Sequence, residues 1–262
     1  MIRGLYTGAT GLNAQQRMMD VAANNIANVN TYGFKKDRPE FADLIYQEFR
    51  RAGTEVSPGV LNPNGLNIGL GTVVSATLKD FTQGSYINTE RPLDVIIEGE
   101  GFMQFTMPDG TIGYSRDGSL KIDANGQLVN SYGFLLEPPI TLPQDALALT
   151  IQSDGTVWYT APGDATPTQA GQITTVRFIN PSGLAPLGKN MYAATAGSGE
   201  AVQGVPGEQG YGSIQQGFVE NSNVQIAEEM IKLIIAQRAF ESNSKSIQTA
   251  DEMLGIAANL KR

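Results

Sequence analysis

Glu98 and Glu100 are the acidic pair whose spacing comes closest to a catalytic arrangement. If both residues lie on one β-strand, their carboxylates face the same side about 7 Å apart. That separation suits an inverting glycosidase, so a carboxylate-based hydrolase is one hypothesis. The pair stands among 26 acidic residues, however, and two neighbouring carboxylates in such a chain carry little information about catalysis. We therefore expect no enzyme.

Two glycine-containing stretches resemble ligand loops only in part. The stretch "GEGF" (99–102) lacks the lysine that a P-loop requires, and "DANGQ" (123–127) lacks the third acidic ligand and closing glutamate of a calcium loop. Both are expected to be turns. The chain has neither histidine nor cysteine, which excludes Ser–His–Asp triads, Cys–His pairs and the usual zinc or iron ligands. The sequence predicts no catalytic residue, no cofactor and no metal.

The bulk composition indicates a globular chain with much β structure. Its 262 residues are 41% hydrophobic and include 30 glycines and 13 prolines, which favour turns. The net charge of −8 disfavours binding to nucleic acid. No segment reaches the roughly 20 apolar residues that span a bilayer, and the N-terminus lacks the layout of a cleaved signal peptide. We expect a soluble chain that, if exported, uses a route without such a signal.

Large apolar residues recur every seven positions at both ends of the chain. The N-terminal repeat is Leu5, Leu12, Met19 and Ile26. The C-terminal repeat is Ile226, Leu233, Phe240, Ile247 and Leu254. Because each stripe is narrow, such a helix buries little area alone and needs a partner helix. The pattern predicts that the two terminal helices pair as a left-handed coiled coil and form an assembly seam, the alternative being that each packs on a nearby globular core.

Between the ends, the apolar period changes from seven to two. Residues 102–137 carry Asp-Gly, Asn-Gly and Tyr-Gly pairs every seven or eight positions, which predicts a meander of short strands. A further hairpin is expected at residues 147–160 and another strand at residues 173–179. A short helix is expected at residues 40–49, and a returning loop at residues 194–217.

The predicted fold class is therefore α+β, with four regions. Residues 1–35 and 218–262 form the helices of an inner coiled-coil domain. Residues 36–76 form an extended inter-domain arm, and residues 77–217 form a central all-β domain of hairpins and meander. In this layout the two terminal helices contact each other, and the central β domain projects from them.

Several stretches resemble the rod and hook family of the bacterial flagellar basal body, and most closely its distal-rod members. The segment "ANNIANVNTYGFKK" (23–36) is similar to the N-terminal signature of that family. Residues 93–105 and 114–138 resemble its central β segments, and residues 217–255 resemble its C-terminal helix. The arm at residues 46–76 resembles the long inter-domain segment of distal-rod members. The likeness covers nearly the whole chain in the order of the family.

The resemblance implies a structural subunit of the distal rod, which polymerises helically into a rigid drive shaft that transmits torque from motor to hook. Its implied partners are further copies of itself, proximal rod proteins, hook or hook-junction proteins, a rod cap during assembly, and ring bushing proteins where an outer membrane is present. Its implied location is the basal body outside the cytoplasmic membrane, reached by flagellar export. A proximal rod subunit and a secreted non-catalytic binding module are the alternatives, and a hydrolase of cell-wall glycan is a third.

The signature contains the residues expected to set the register between subunits: Asn24, Asn25, Asn28, Gly33 and Phe34. On a helix, Asn24, Asn28 and Thr31 would lie on one polar stripe. We hypothesise that these amides bond across neighbouring subunits, as a buried polar position does in a coiled coil. The alternative is that Asn28 and Asn30 only fray the helix before Gly33, which would cap its C-terminus.

Overall fold

The computed structural model describes residues 2–53, 55–57, 60–143, 145–146, 148–162, 166–208 and 210–259. Its chain divides into two compact units, each built from segments that are far apart in sequence. The helical unit contains residues 1–27, 37–78 and 225–262, and the β unit contains residues 28–36 and 79–224. Residues 1 and 260–262, which belong to the predicted helical regions, lie outside the described residues, as do residues 54, 58 and 59 of the predicted arm.

Two helices form the ends of the chain: α1 spans Ile2–Ala27 and α2 spans Ile226–Asn259. They contact each other within the helical unit. A Cβ atom built on Gly8 would lie 2.8 Å from Cγ1 of Ile247, and Asn25 Nδ2 lies 3.2 Å from Oε2 of Glu229. The start of α1 thus meets the later part of α2, so the helices run antiparallel. The prediction of two terminal helices is confirmed, whereas their winding into a coiled coil stays a prediction.

The stretch that follows α1 in the helical unit forms two-stranded ribbons. The strands are β1 (Asp37–Asp43), β2 (Tyr46–Arg50), β3 (Glu55–Ser57), β4 (Val60–Leu61), β5 (Leu66–Gly69) and β6 (Thr72–Lys79). Strand β1 pairs with β6, β2 with β5, and β3 with β4. The expectation of a short helix at residues 40–49 is wrong, because partner strands supply the hydrogen bonds and override the local preference.

The β unit contains short strands. They are β7 (Tyr86–Asn88), β8 (Val95–Glu98), β9 (Met103–Thr106), β10 (Ile112–Ser115), β11 (Lys121–Ile122), β12 (Leu128–Val129), β13 (Leu135–Glu137), β14 (Ala148–Ile151), β15 (Thr156–Thr160), β16 (Thr168–Gln172), β17 (Thr175–Arg177), β18 (Ala185–Gly188), β19 (Met191–Ala193), β20 (Val202–Gly204), β21 (Ser213–Gln216) and β22 (Phe218–Glu220). The prediction of a mostly β central region is confirmed.

These strands form one large sheet and several small ones. The largest sheet has the order β11-β12-β13-β9-β10-β19-β18, and β14-β15-β16 forms a second. Strands β17 and β20, β8 and β21, and β7 and β22 pair in twos. The main core of the unit includes Phe105, Met103 and Leu136, each fully buried. A second cluster includes the rings of Phe102, Tyr114, Phe178 and Tyr192. Phe81 packs edge to face with Phe102 and Tyr192, and Tyr114 packs edge to face with Phe178.

Most Gly-containing turns behave as the sequence predicts. Asp154-Gly155 joins the antiparallel strands β14 and β15, and Asn125-Gly126 joins β11 and β12. Asp117-Gly118 is the exception, because β10 pairs with β9 and β19 rather than with β11. Neither of the two described helices is long and apolar enough to cross a membrane.

Candidate assembly surface and buried ionic clusters

Small side chains fill the side of each helix that is buried. In α1 these are Gly8, Ala14 and Ala22, joined by Asn25, and in α2 they are Ala236 and Ala250, joined by Glu229. The large residues of the predicted seam flank this line. The half-buried ones are Leu5, Leu12, Met19, Ile26, Leu233, Phe240, Ile247 and Leu254, and Ile226 is exposed. The helix contact inside one subunit is therefore narrow and is built mainly from alanine and glycine.

Residues 230–236 of α2 are apolar at every position except Lys232. Met230, Ile231, Ile234 and Ile235 are 50–57% exposed. Ala236 on the same turns is fully buried. A helix that is hydrophobic all round is normally buried on all sides, and contiguous exposed apolar patches mark interaction sites. We call the four exposed residues the α2 apolar face, and it is the candidate assembly surface.

The ribbon formed by β2 and β5 also exposes large apolar residues. Tyr46, Phe49, Leu66 and Ile68 are all exposed, and Ile45 just before β2 is 78% exposed. A two-stranded ribbon is marginally stable in water unless another layer covers it. The ribbon is therefore a second surface of the helical unit whose apolar side chains are exposed in the isolated chain.

Asn25 is buried and bridges three segments of the helical unit. Its Oδ1 accepts a hydrogen bond from the N–H of Asp37 at 2.9 Å, and its Nδ2 donates to the carbonyl of Asp37 at 2.9 Å. Nδ2 also donates to Oε2 of Glu229 in α2. Glu229 in turn accepts from Nζ of Lys232 at 2.5 Å. The amide thus ties α1 to the start of β1 and to α2, and we call this group the Asn25 cluster.

The polar stripe expected from Asn24 through Asn28 to Thr31 does not form. Helix α1 ends at Ala27, so Asn28 and Thr31 lie in the turns that follow, where Thr31 Oγ1 donates to Oδ1 of Asn28 at 3.2 Å. Asn24 lies on the exposed side of the helix. The helical geometry on which the register hypothesis depended is therefore wrong for Asn28. The role of these amides between subunits stays a prediction.

Gly33 and Phe34 lie in the β unit and not at a helix end. Gly33 has φ +68°, and a Cβ atom there would lie 2.7 Å from the backbone nitrogen of Asp117. Its N–H donates to the carbonyl of Glu220 at 2.8 Å. The ring of Phe34 is buried, with Lys79 Nζ 5.4 Å from its centre. Gly33 is therefore required for close backbone packing, and the alternative that it caps α1 is wrong.

The next residue of the signature, Lys35, is fully buried in an ion pair. Lys35 Nζ lies 2.5 Å from Oε1 of Glu220, and the two side chains are 0% and 1% exposed. Arg116 Nε lies 3.3 Å from Oε2 of the same carboxylate, although neither atom has a hydrogen bond among the described residues. Arg116 also donates to the carbonyls of Gly99 and Phe81. We call this group the Lys35 cluster.

Burial dominates the electrostatics of Lys35. The pKa of Lys35 is lowered from 10.5 to about 8, mainly by removal from water and also by the nearby positive charge of Arg116. The carboxylates of Glu220 and Asp80 act in the opposite direction but do not compensate fully. The charged form of Lys35 is therefore held in the fold at a cost in free energy.

Sequence analysis did not single out Lys35, Arg116 or Glu220. The available signal was their position, because Lys35 lies in the quoted segment 23–36 and Glu220 lies in the quoted segment 217–255. A buried lysine is rare, so residue type alone argued against it. Pairing across 185 residues of sequence gave no local pattern to detect.

The carboxylates first considered for catalysis do not form a site. Strand β8 ends at Glu98, whereas Glu100 follows the positive-φ residue Gly99 and pairs with Arg177. The assumption that both lie on one strand is therefore wrong. Asp123 accepts backbone hydrogen bonds from Asn125 and Gln127, as expected for a turn. Within the described part of the chain, no three acidic side chains are placed to hold a metal ion.

Three family models match successive parts of this sequence. Residues 5–35 match "Flagella basal body rod protein", and residues 96–175 match "Flagellar hook protein FlgE/F/G D1 domain". Residues 215–260 match "Flagellar basal body rod FlgEFG protein C-terminal". The first match contains Asn25 and Lys35, and the last contains Glu220 and Glu229. Both clusters therefore join the two terminal family regions.

Curated proteins match over the full length. The chain is 50% identical over 264 residues to the flagellar basal-body rod protein FlgG of Borreliella burgdorferi, covering 100% of each chain. It is 41% identical to the protein of that name from Caulobacter vibrioides, covering 99% of this chain and 100% of the relative. It is 32% identical to the flagellar hook-basal body complex protein FlhP of Bacillus subtilis, covering 100% of both.

Proposed function

Because the chain belongs to the family of flagellar basal-body rod and hook proteins, we propose that it is a non-catalytic structural subunit of the distal rod. In this proposal the subunit polymerises helically into a stiff shaft that transmits torque from motor to hook. The chain matches proteins named FlgG over its full length. This match supports a distal-rod subunit over a proximal-rod subunit.

The observation that carries polymerisation is the α2 apolar face. In the isolated subunit the contact with α1 covers only the alanine side of α2, and Met230, Ile231, Ile234 and Ile235 are left in water. Burying apolar surface contributes roughly 25 cal/mol per Å². Covering this face with helices of neighbouring copies therefore provides a driving force for assembly. Contacts of this head-to-tail kind that do not close generate a filament.

The partners and location follow from the same family membership. The protein assembles with other rod and hook components of the basal body. We propose that proximal rod proteins lie at one end of its filament and hook or hook-junction proteins at the other, with a rod cap during growth and ring bushing proteins where an outer membrane is present. We also propose that it is exported through the flagellar channel.

The proposed layers of the filament follow the two units. Helices α1 and α2 of the helical unit would form an inner tube, and the β unit would form an outer layer. The narrow helix contact within one subunit supports this proposal, because an inner tube needs apolar helix surface that remains available to neighbours.

The test is a paired substitution in the α2 apolar face. We expect a variant with Ile231→Ser and Ile235→Ser to fold, because substitutions at exposed sites usually change the free energy of unfolding by within about 0.5 kcal/mol. We expect rods to be absent from basal bodies isolated from cells that express only this variant, and swimming to be lost.

The matched control is Ile179→Ser, which makes the same chemical change at a β-unit residue that is 90% exposed. Rods should form normally with this control. Normal rods with the double variant would contradict the proposed role of the α2 apolar face. Equal loss of rods with both variants would mean that exposed isoleucine in general, and not this face, is required.

A further inference from the structure

The chain passes between the two units four times, and three stretches on the β-unit side carry these passages. They are residues 28–36, 79–85 and 217–224, which we call the connectors. Backbone hydrogen bonds link them: Gly33 N–H donates to Glu220, Asp80 N–H donates to Lys36, and Asn221 N–H donates to Ser85. The three connectors therefore form one assembly within the β unit.

Charged and polar side chains bind the connectors at their centre. Lys35 of the first connector donates to the carbonyl of Thr82 in the second at 2.6 Å and to Glu220 of the third at 2.5 Å. Glu220 Oε1 also accepts from the N–H of Gly84 at 2.8 Å. The side chain of Asn223 accepts from Lys36 N–H and donates to the carbonyl of Asp80. Each connector is thus hydrogen-bonded by side chains of another.

Such a centre is a poor choice if stability alone is required. Two charges removed from water cost several kcal/mol each, and well-packed apolar residues of similar volume are often as stable or more stable. The core of the same unit shows that this chain packs apolar side chains efficiently, with Phe105 and Leu136 fully buried. Apolar contact, however, is non-directional, whereas charge-assisted hydrogen bonds fix distance and angle.

We propose that the Lys35 cluster is a positioning device that selects one arrangement of the three connectors, at a cost in stability. Lys35 donates hydrogen bonds to both other connectors. Arg116, from outside the connectors, places a positive charge 3.3 Å from the second oxygen of Glu220. Helix α1, strand β6 and helix α2 each continue from one connector. The device therefore fixes the three connectors relative to one another within the β unit. Its consequence for rod assembly rests on the proposed function.

The test compares a single variant with a multiple variant in the full-length chain. Lys35→Met removes the donor that Lys35 provides to Glu220 and to the carbonyl of Thr82. It should lower the urea midpoint of unfolding, followed by fluorescence of Trp158, the only tryptophan. The variant with Lys35→Met, Arg116→Met and Glu220→Gln removes the buried charges together and keeps an acceptor for Gly84. We expect its midpoint to return to the wild-type value.

Amide exchange of the connectors separates positioning from stability. In the multiple variant we expect exchange in residues 28–36, 79–85 and 217–224 to be at least tenfold faster than in wild type, while exchange in strand β9 is unchanged. Lys36→Met is the matched control, because Lys36 lies at the partly exposed edge, 3.7 Å from Asp80, and should leave both readouts unchanged.

Two outcomes would overturn the proposal. Unchanged connector exchange in the multiple variant would show that apolar packing positions the connectors equally well. A midpoint as low as that of Lys35→Met would show that the cluster is needed for stability itself. Both readouts use the purified chain, so they stand apart from the rod assay. Fast exchange with normal rods would refute only the consequence for assembly.

Discussion

The two units of the molecule differ in what they bury. In the β unit the buried residues include phenylalanine, leucine, isoleucine and methionine, whereas in the described part of the helical unit the buried hydrophobic residues are alanines. The helical unit exposes its large apolar side chains, on the α2 apolar face and on the β2–β5 ribbon. The β unit therefore has a complete core, and the core of the helical unit remains open to neighbouring chains.

This difference in buried residues indicates that the two units obtain their stability in different ways. A complete core gives a unit stability of its own, because burial of large side chains is the main favourable term in folding. A unit that buries mainly alanine gains little from its own contacts and depends on the assembly for the rest.

Each unit nevertheless contains a buried polar cluster in which an N-terminal residue binds a C-terminal glutamate. The Asn25 cluster joins Asn25 to Glu229, and the Lys35 cluster joins Lys35 to Glu220. The N-terminal partners stand ten residues apart and the C-terminal partners nine apart, on either side of the unit boundaries. The N-terminal and C-terminal segments are therefore linked by two side-chain contacts, one from an amide and one from an ion pair.

The largest effect is expected from a substitution in the core of the β unit. Phe105→Ala should lower the free energy of unfolding of the β unit by about 3–5 kcal/mol, because a fully buried ring leaves a cavity. Urea unfolding followed by Trp158 fluorescence measures it. Ile234→Ala in the helical unit should change that free energy by within about 0.5 kcal/mol, since its side chain is half exposed. Similar losses in both variants would contradict the contrast between the units.

The second effect concerns neighbouring asparagines in α1. Asn25→Ala removes the side-chain bonds to Asp37 and leaves Glu229 without its amide donor, so we expect a loss of about 1–3 kcal/mol in the helical unit. Thermal unfolding followed by helical circular dichroism measures it. Asn24→Ala, on the exposed side of the same helix, should cost clearly less. Equal losses in the two variants would show that the buried hydrogen bonds of Asn25 do not stabilise the helical unit.

The smallest effect is a pH dependence specific to the Lys35 cluster. The pKa of Lys35 is lowered from 10.5 to about 8, so between these values the unfolded chain binds more protons than the folded chain. Stability from this group therefore rises with pH through that window, by less than the ~1.4 kcal/mol per pH unit of one whole proton.

The measurement is urea unfolding at pH 8 and pH 9 in wild type and in Lys35→Met. The groups that act on Lys35 are Glu220, Arg116 and Asp80, and the variant retains all three. Its stability should rise less between the two pH values than that of wild type. An equal change in both would show that Lys35 does not titrate in this window.

Local chemistry made much of the fold predictable. Asp154-Gly155 and Asn125-Gly126 specify tight turns by their own backbone preferences, and both join paired strands. The terminal helices were evident from seven-residue spacing. In contrast, Asp117-Gly118 has the same turn chemistry, but β10 finds its partners in β9 and β19, so the pair does not make a hairpin.

The polar clusters were less predictable, because each depends on residues about two hundred positions apart. Asn25 pairs with Glu229 and Lys35 with Glu220, and no local spacing relates the two members of either pair. Both end segments resemble one family, and these segments contain all four residues. Their pairing was not predicted. The family signature thus contained the right residues, while its reading as a helical polar stripe failed at Asn28, where the helix has already ended.

The four passages of the chain between the units have a covalent consequence. They fall at residues 27–28, 36–37, 78–79 and 224–225. Cleavage of the backbone at any one of these positions leaves the two units joined through the other three peptide bonds.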